Sequence, residues 1–375
     1  MITTIEAALE ATRRRIASPA WVDDFASPAS IGIALDGLAE EVHPAAWSSG
    51  RRATMDALRA IRPHQRLAVL SMARNEAPYL PEWIAHYRAI GADKIFIYTN
   101  DNSDGTDTLL RWFSGCAPVV PIFTAAAQGV DIQLKNYEHA LFLLPELRLY
   151  DWVLVVDADE FLVPAARFNH HLPTMLAAAP ADTDAILFPW RWRQWDRSFQ
   201  RQPGLLAERY PYADDREGFK SVLRLGKVTS LRDVHAPRLE GGVQRDTAFN
   251  LVENAWAPGV RTAEGGWIDH YWGKSFEEFV VKKRRGDRLA LRSGQFRRDY
   301  ESFFTWTKPM TAANFSPVPG AVIDGIKNAL ARFDAKAGYR ELMAQIEGKY
   351  EAEAGMLRND PELRRVYDAA MQHER

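Results

Sequence analysis

The chain has 375 residues, 47% of them hydrophobic, enough to bury one large core or two smaller ones. Its formal net charge of -2 argues against a polyanion-binding face, so nucleic acid is not an expected partner. A single cysteine, Cys116, excludes a disulfide framework or a cysteine zinc site; no apolar signal segment opens the chain and no run of about 18 apolar residues occurs, so a cytoplasmic protein is expected, with peripheral contact at the inner membrane face left open.

Residues 1–62 are rich in Ala, Arg and Ser, with helical stretches near 3–17 and 51–61, and form an N-terminal extension. The pattern changes at "RLAVLSMARNE", where Leu67 to Leu70 is a short apolar run expected as a buried strand. In "PYLPEWIAHYRAIGA", Leu80, Trp83, Ile84, Tyr87 and Ile90 share one helical face, and Gly91 is placed to close the helix in the left-handed region. "KIFIY" (94–98) is a second strand, "TDTLLRWF" a helix, "PVVPIF" a third strand and "VDIQLKNYEHALFLL" a longer helix. "WVLVV" (152–156) and "DAILFPW" (184–190) are the fourth and fifth strands. Residues 190–270 show no clear period, and "WIDHYWGKSFEEFVVKKRRG" reads as strand, turn and helix, with Ser275 and Glu278 spaced as a capping box. Residues 315–375 are helical, with a break at "RNDPELRR" where Asn359 or Asp360 caps the last helix. Strands alternating with helices predict an α/β fold: a mainly parallel sheet with helices on both faces, plus helical N- and C-terminal extensions (1–62 and 291–375) around a domain at 63–290.

In such sheets ligands bind beyond the carboxyl ends of the strands. Here "SMARNE", "TNDNSDGT" and "DADE" follow strands one, two and four, so three polar clusters meet at one edge. At the end of an extended strand, Asp157 and Asp159 are expected to point the same way by period-two alternation, a hard-oxygen site for a divalent cation. The second Asp-x-Asp, Asp182-Thr-Asp184, precedes a strand at the opposite edge and is expected to be a loop. No P-loop and no G-x-G-x-x-G follows strand one, which leaves a metal-held nucleoside diphosphate carrying a sugar.

Three segments, "MARNEAPYLPEWIAHYRAIGADKIFIYTNDNSDGT", "DWVLVVDADEFL" and "DHYWGKSFEEFVVKKRRG", resemble the family 2-like glycosyltransferases of GT-A type, nearest the bacterial branch related to glycosyltransferase family 92. The resemblance implies transfer of a sugar from a nucleotide-sugar donor, UDP-linked and with inversion, to a glycan or lipid-linked acceptor, with Mn2+ or Mg2+. It implies that Asp159 ligates the metal, that Asp157 contacts ribose or metal, and that His270 is the third ligand, whose nitrogen modestly favours Mn2+. Arg74, Asn75 and Glu76 correspond to a first donor loop. In the second loop the family commonly has an aspartate where this chain has Thr99, so that contact passes to Asn100, Asp101 or Asp104. Gln133 and Lys135 lie near the donor in such folds, and Lys274 and the run 282–285 are candidates to neutralise diphosphate, although most of that run is expected to be a solvated face.

Deprotonating an acceptor hydroxyl needs a general base. Asp196, Asp214, Asp215 and Glu217 are the candidates, with Asp196 and Asp215 preferred; Trp190, Trp192 and Trp195 could wall an acceptor sugar, and His235 could shape that site or hold a hairpin. The alternative function is an inactive relative that binds nucleotide or glycan, motivated by Thr99. A phosphotransfer hydrolase wants a small residue where Phe161 stands, and a nucleotidyltransferase needs a glycine-rich loop after strand one.

Overall fold

The computed structural model describes residues 62–124, 132–194, 198–230, 235, 238–239, 241–257, 261–284, 300, 303–304, 307 and 310–373. The helices expected near 3–17 and 51–61, together with Trp195 and Asp196, lie outside the described residues. In chain order the strands are β1 (Gln65–Ala73), β2 (Lys94–Asn100), β3 (Val119–Thr124), β4 (Tyr150–Val155), β5 (Glu160–Pro164), β6 (Thr183–Arg193), β7 (Ala213–Leu223), β8 (Val228–Ser230), β9 (Arg238–Leu239), β10 (Val243–Asp246) and β11 (Gly266–His270). The helices are α1 (Leu80–Ala89), α2 (Thr106–Cys116), α3 (Ile132–Leu143), α4 (Leu172–Ala178), α5 (Phe276–Arg284), α6 (Gly320–Asp334), α7 (Tyr339–Arg358) and α8 (Pro361–His373), with one helical turn at Leu206–Arg209.

The main sheet runs β3-β2-β1-β4-β7-β6-β11-β5, with β10 added on β6. Its first four strands are parallel; β7 is antiparallel to both neighbours, and β11 pairs parallel with β6 and antiparallel with β5. The expected α/β architecture is therefore present. The stretch expected to lack regular structure instead holds β7, an eleven-residue strand at the centre of the sheet. Its apolar run is interrupted by Lys220 and Ser221, both buried, so hydrophobic alternation hides it.

Alternate residues of β1 feed two cores. Leu67 and Val69 pack with α1 and α2, while Ala68 and Leu70 pack with α3. Both faces of the strand are covered, which is why it reads as a continuous apolar run. Gly91 ends α1 at φ +104°, as its position suggested. The C-terminal helices do not stand apart: Val322, Ile326, Phe333, Leu342 and Ile346 of α6 and α7 belong to the α1/α2 core. Gly325 lets α6 approach α1 closely, since a Cβ there would lie 3.0 Å from that of Ala89. Asp360 caps the last helix, accepting hydrogen bonds from the backbone N–H of Glu362 (2.9 Å) and Leu363 (3.3 Å). Among the described residues no helix is long and apolar enough to cross a membrane.

Candidate donor site at the strand ends

β4 stops at Val155, and the carboxylates follow in a turn closed by the Glu160 N–H donating to the Asp157 carbonyl at 3.1 Å. This corrects the expectation that period-two alternation aims Asp157 and Asp159 the same way. The chain has left the extended conformation, and the two side chains meet different partners. Helix α1 fixes the turn. Trp83 Nε1 donates to the Asp157 and Glu160 carbonyls at 3.1 and 3.0 Å, and the Tyr87 hydroxyl donates to the Glu160 carbonyl at 2.9 Å. Residues that read only as an apolar helix face thus also satisfy backbone groups that would otherwise be buried unpaired.

Asp157 accepts from Lys220 Nζ at 2.9 Å, Gln133 Nε2 at 2.8 Å and the Tyr137 hydroxyl at 3.3 Å. Burial would raise its carboxyl pKa, but the Lys220 charge prevails and holds it below the ordinary value. The same ammonium lies 3.6 Å from Glu160, whose carboxylate accepts the Asp157 N–H at 2.9 Å; there burial wins and pushes the acid up to about 7. Asp159 is ion-paired with Lys282 and has its Oδ1 3.6 Å from His270 Nε2. Burial opposes ionisation of Asp159 too, yet Lys282 and then His270 hold it well below the usual carboxylate range.

β11 delivers His270 to the turn through its pairing with β5, in which His270 faces Glu160. The next residue back, Asp269, is fully buried in an ion pair with Arg193 at 2.7 Å and also accepts from Trp267 Nε1 at 3.0 Å. The imidazole sits between Trp190 and Trp192, with ring centroids 5.0 and 5.4 Å away, and Trp192 stacks on Trp272. Gly218 makes room for Trp190: at φ +133° a Cβ would stand 2.0 Å from the indole ring. Trp190 and Trp192 therefore frame His270.

Beside the turn lies a cleft of ≈ 250 Å³. One wall is the pair of loops after β1 and β2, laced by hydrogen bonds from the Asn75 N–H to Asn102 Oδ1 (2.7 Å), the Glu76 N–H to Thr106 Oγ1 (3.1 Å) and the Ala77 N–H to Asp104 Oδ2 (2.8 Å). Lys274 enters from the turn before α5, in the left-handed region at φ +56°, a conformation that costs a non-glycine residue energy. It is 3% exposed, and among the described residues its ammonium has no hydrogen bond or ion pair; it stands 4.3 Å from the centre of the Tyr79 ring. Burial lowers its pKa, partly countered by Glu76. The expected capping box holds α5 in place: the Ser275 N–H donates to Glu278 at 3.1 Å and the Glu278 N–H to Ser275 Oγ at 3.3 Å. The far wall is α7, through Lys349, Tyr350 and Glu353.

The structure thus brings Asp157, Asp159, His270, Gln133 and Lys274 to one place, with Asn75, Glu76 and Asp104 along the adjoining cleft. Arg74 is half-buried beside that loop. Thr99 and Asn100 are buried; the Thr99 hydroxyl accepts from Asn102 Nδ2 at 2.6 Å and Asn100 Nδ2 donates to Asp101, so neither residue lines the cleft. Asp101 is exposed at φ +47°. Both oxygens of Asp104 accept backbone N–H groups, from Ala77 and Thr106, which gives it a loop-bracing role. The side chain of Lys135 lies outside the described residues. Asp215, a candidate base, pairs with Arg191 in register, on the sheet face opposite Trp192, and makes an ion pair there at 3.4 Å while 85% exposed. Asp214, one residue earlier, faces Trp192. Glu217 is exposed and paired with Arg261. The ring of His235 lies 5.2 Å from Trp190. The Asp182-Thr-Asp184 triplet is structural, binding Arg245 and the Val243 N–H.

One lysine was not legible as a site residue: Lys220 sits inside an apolar strand. Lys282, from the run named as a candidate to neutralise diphosphate though mostly expected to be solvated, reaches back to Asp159. A lysine on the buried face of a strand is a signal in its own right, because an ammonium is rarely buried without a carboxylate partner.

Among the described residues no three His, Asp or Glu side chains are gathered as a ready ligand set. Two are: Asp159 Oδ1 and His270 Nε2, at 3.6 Å, can both reach one cation at bond lengths of about 2.1 Å. Asp157 is occupied by Lys220 and Gln133. The residues fit a divalent ion held by one carboxylate and one imidazole once Lys282 moves off Asp159.

Glu82 of α1 anchors the neighbouring turn, accepting the Leu206 and Ala207 N–H groups at 2.8 and 3.1 Å, and burial pushes its carboxyl up to about 7. The folded state then binds more protons than the unfolded chain between the ordinary value of 4.5 and about 7, so this group's contribution to stability is complete below that window and is lost as pH rises through it. Urea midpoints should accordingly decline less between pH 5 and pH 8 in Glu82→Gln than in wild type; parallel declines would exclude Glu82 as the source.

Residues 69–254 match the family model described as Glycosyltransferase family 92. A glycosyltransferase family 92 protein of Ricinus communis is 30% identical over 119 residues, 32% of this chain and 19% of that protein. Another from Oryza sativa subsp. japonica is 30% identical over 96 residues, 26% of this chain and 16% of that protein. The matches thus span under a fifth of these curated relatives' length. Among solved structures, S. aureus TarS 1–349 in complex with UDP is similar at 10% identity and a TM-score of 0.31, covering 78% of this chain and 91% of that one. Glucosyl-3-phosphoglycerate synthase from Mycobacterium tuberculosis, in complex with Mn2+, UDP and phosphoglyceric acid, is similar at 16% identity and a TM-score of 0.25, covering 46% and 60%. The family model thus meets both the loop after β1 and the Asp157–Glu160 turn, and over residues 69–254 this chain is similar to glycosyltransferase family 92.

Proposed function

We propose that this chain is a metal-dependent glycosyltransferase of GT-A type that moves a sugar from a nucleoside diphosphate donor to a hydroxyl of a glycan or lipid-linked acceptor. The observation that carries this reading is the convergence of Asp159, His270 and the buried Lys274 at the strand ends, beside an open cleft. Asp159 and His270 would hold Mn2+ or Mg2+, which supplies Lewis-acid stabilisation of the leaving diphosphate. Lys274 and Lys282 add positive charge where that charge develops. The acceptor oxygen bonds to the anomeric carbon as the bond to the diphosphate breaks, the electron pair leaves with the diphosphate, and the hydroxyl proton passes to a base. Asp214 suits that role: it is half-buried, faces Trp192, and is held by Arg216 at 2.9 Å. Trp256, 54% exposed and 4.9 Å from Phe219 between ring centres, offers an acceptor-side stacking surface near His235. One geometric fact favours a second reading, a domain that binds nucleotide without metal: Lys282 and Lys220 already neutralise both aspartates.

Thermal shift with UDP, GDP, CDP and dTDP, each with Mn2+, Mg2+ or EDTA, separates the two. Stabilisation that requires metal supports the transferase reading. Equal stabilisation in EDTA moves the weight to a metal-free binding site, and no shift with any nucleotide removes both.

A further inference from the structure

The cleft has two chemically different ends. Lys274 and Lys282 lie at the end next to Asp159. At the other, Ser103 and Asp104 face Lys349 and Glu353 of α7, a helix outside the residues that match the family model. Of the acids lining the cleft, Asp104 spends both oxygens on backbone N–H groups, and Glu278 is engaged by Arg209, Tyr210 and Ser275. Glu76 is buried beside Lys274. Glu353 differs: it is half-buried, and among the described residues its carboxylate has no hydrogen bond or ion pair. Burial raises its pKa and Arg284 counters this. Its helix is firmly held there, since the Tyr350 hydroxyl donates to Glu277 at 3.1 Å, Arg358 binds Glu277 at 2.6 Å, and Arg201 binds Glu347 at 2.8 Å.

Resting on the donor-site reading above, we propose that Glu353 recognises the nucleobase of the donor, accepting a hydrogen bond from a ring N–H, so that the C-terminal helix completes the nucleotide pocket and sets base preference. A nucleoside diphosphate whose phosphates lie against Lys274 and Lys282 directs its base toward this end. An unpaired carboxylate favours bases that present a ring N–H (N3–H of uracil or thymine, N1–H of guanine) over cytosine, whose ring N3 is an acceptor.

The test is calorimetric titration of the full chain with UDP, GDP, dTDP, CDP and inorganic pyrophosphate in Mn2+, for wild type, Glu353→Gln and Glu353→Asp, with melting temperatures to confirm folding. Wild type should bind at least one of UDP, GDP and dTDP more tightly than CDP. Glu353→Gln should weaken that nucleotide by about tenfold or more, narrow its margin over CDP, and leave pyrophosphate affinity unchanged. Glu353→Asp, which withdraws the carboxylate by one methylene, should weaken it by less. Nucleotide affinities unchanged in both variants, or pyrophosphate lost in parallel, would overturn the assignment of Glu353 while leaving the donor site standing. A wild type that binds no nucleotide would overturn both.

Discussion

Replacing Asp159 by asparagine should lower donor turnover by about 10³-fold or more while the protein stays folded. The side chain is isosteric, so the turn and its bonds to Trp83 and Tyr87, made through the backbone, are preserved. What is lost is a carboxylate held well below its usual range by Lys282 and His270 against the cost of burial. Among the described residues, it is the carboxylate within reach of His270 that is not tied to Lys220, unlike Asp157 and Glu160. Without it, His270 is left as a single donor and Lys282 and Lys274 face no anion at the turn. Nucleotide release from the donor, followed with and without Mn2+, and the metal-dependent thermal shift should fall together. A variant that keeps half the wild-type turnover would move the metal-holding role away from Asp159.

The largest stability effect is expected at Asp269→Ala. Its partner Arg193 is fully buried, and among the described residues removing the carboxylate leaves that guanidinium with carbonyl partners on Tyr210 and Ser316. Breaking a buried pair from one side costs about 3–5 kcal/mol, because the remaining charge stays desolvated. The Trp267 indole N–H loses its acceptor as well. Urea unfolding of Asp269→Ala should show a loss of this size, and the double variant Arg193→Met/Asp269→Leu should recover much of it, since an apolar pair leaves no charge uncompensated. A loss under about 1 kcal/mol in the single variant would mean that water reaches Arg193 and the pair is not sealed.

Helices and strands whose apolar residues keep one period could be located from the sequence: α1, β1, β2, α2, β3 and β4 all fall where the pattern places them. β7 could not be found this way, because its pairing with both β4 and β6 makes it central while its sequence carries Lys220 and Ser221 buried on its two faces. The same burial supplies Asp157 with its counter-ion. Local signals fared well where one short segment contains both partners, as in the Ser275–Glu278 capping box and the Gly91 helix stop.

By itself, then, the sequence determined the α/β layering, the edge at which polar loops gather, and the presence of Asp157, Asp159, His270 and Lys274 in motifs of that edge, because each follows from residue type and short-range spacing. Tertiary structure alone decided how these groups are paired. The turn at 157–160 sends the two aspartates to different lysines, Asp214 rather than Asp215 faces Trp192, and α7 brings Glu353 to a cleft formed by loops about 250 residues earlier in the chain. Those outcomes depend on turn geometry, on strand register and on long-range docking of a helix against the α1 core, and no periodicity in the chain encodes them.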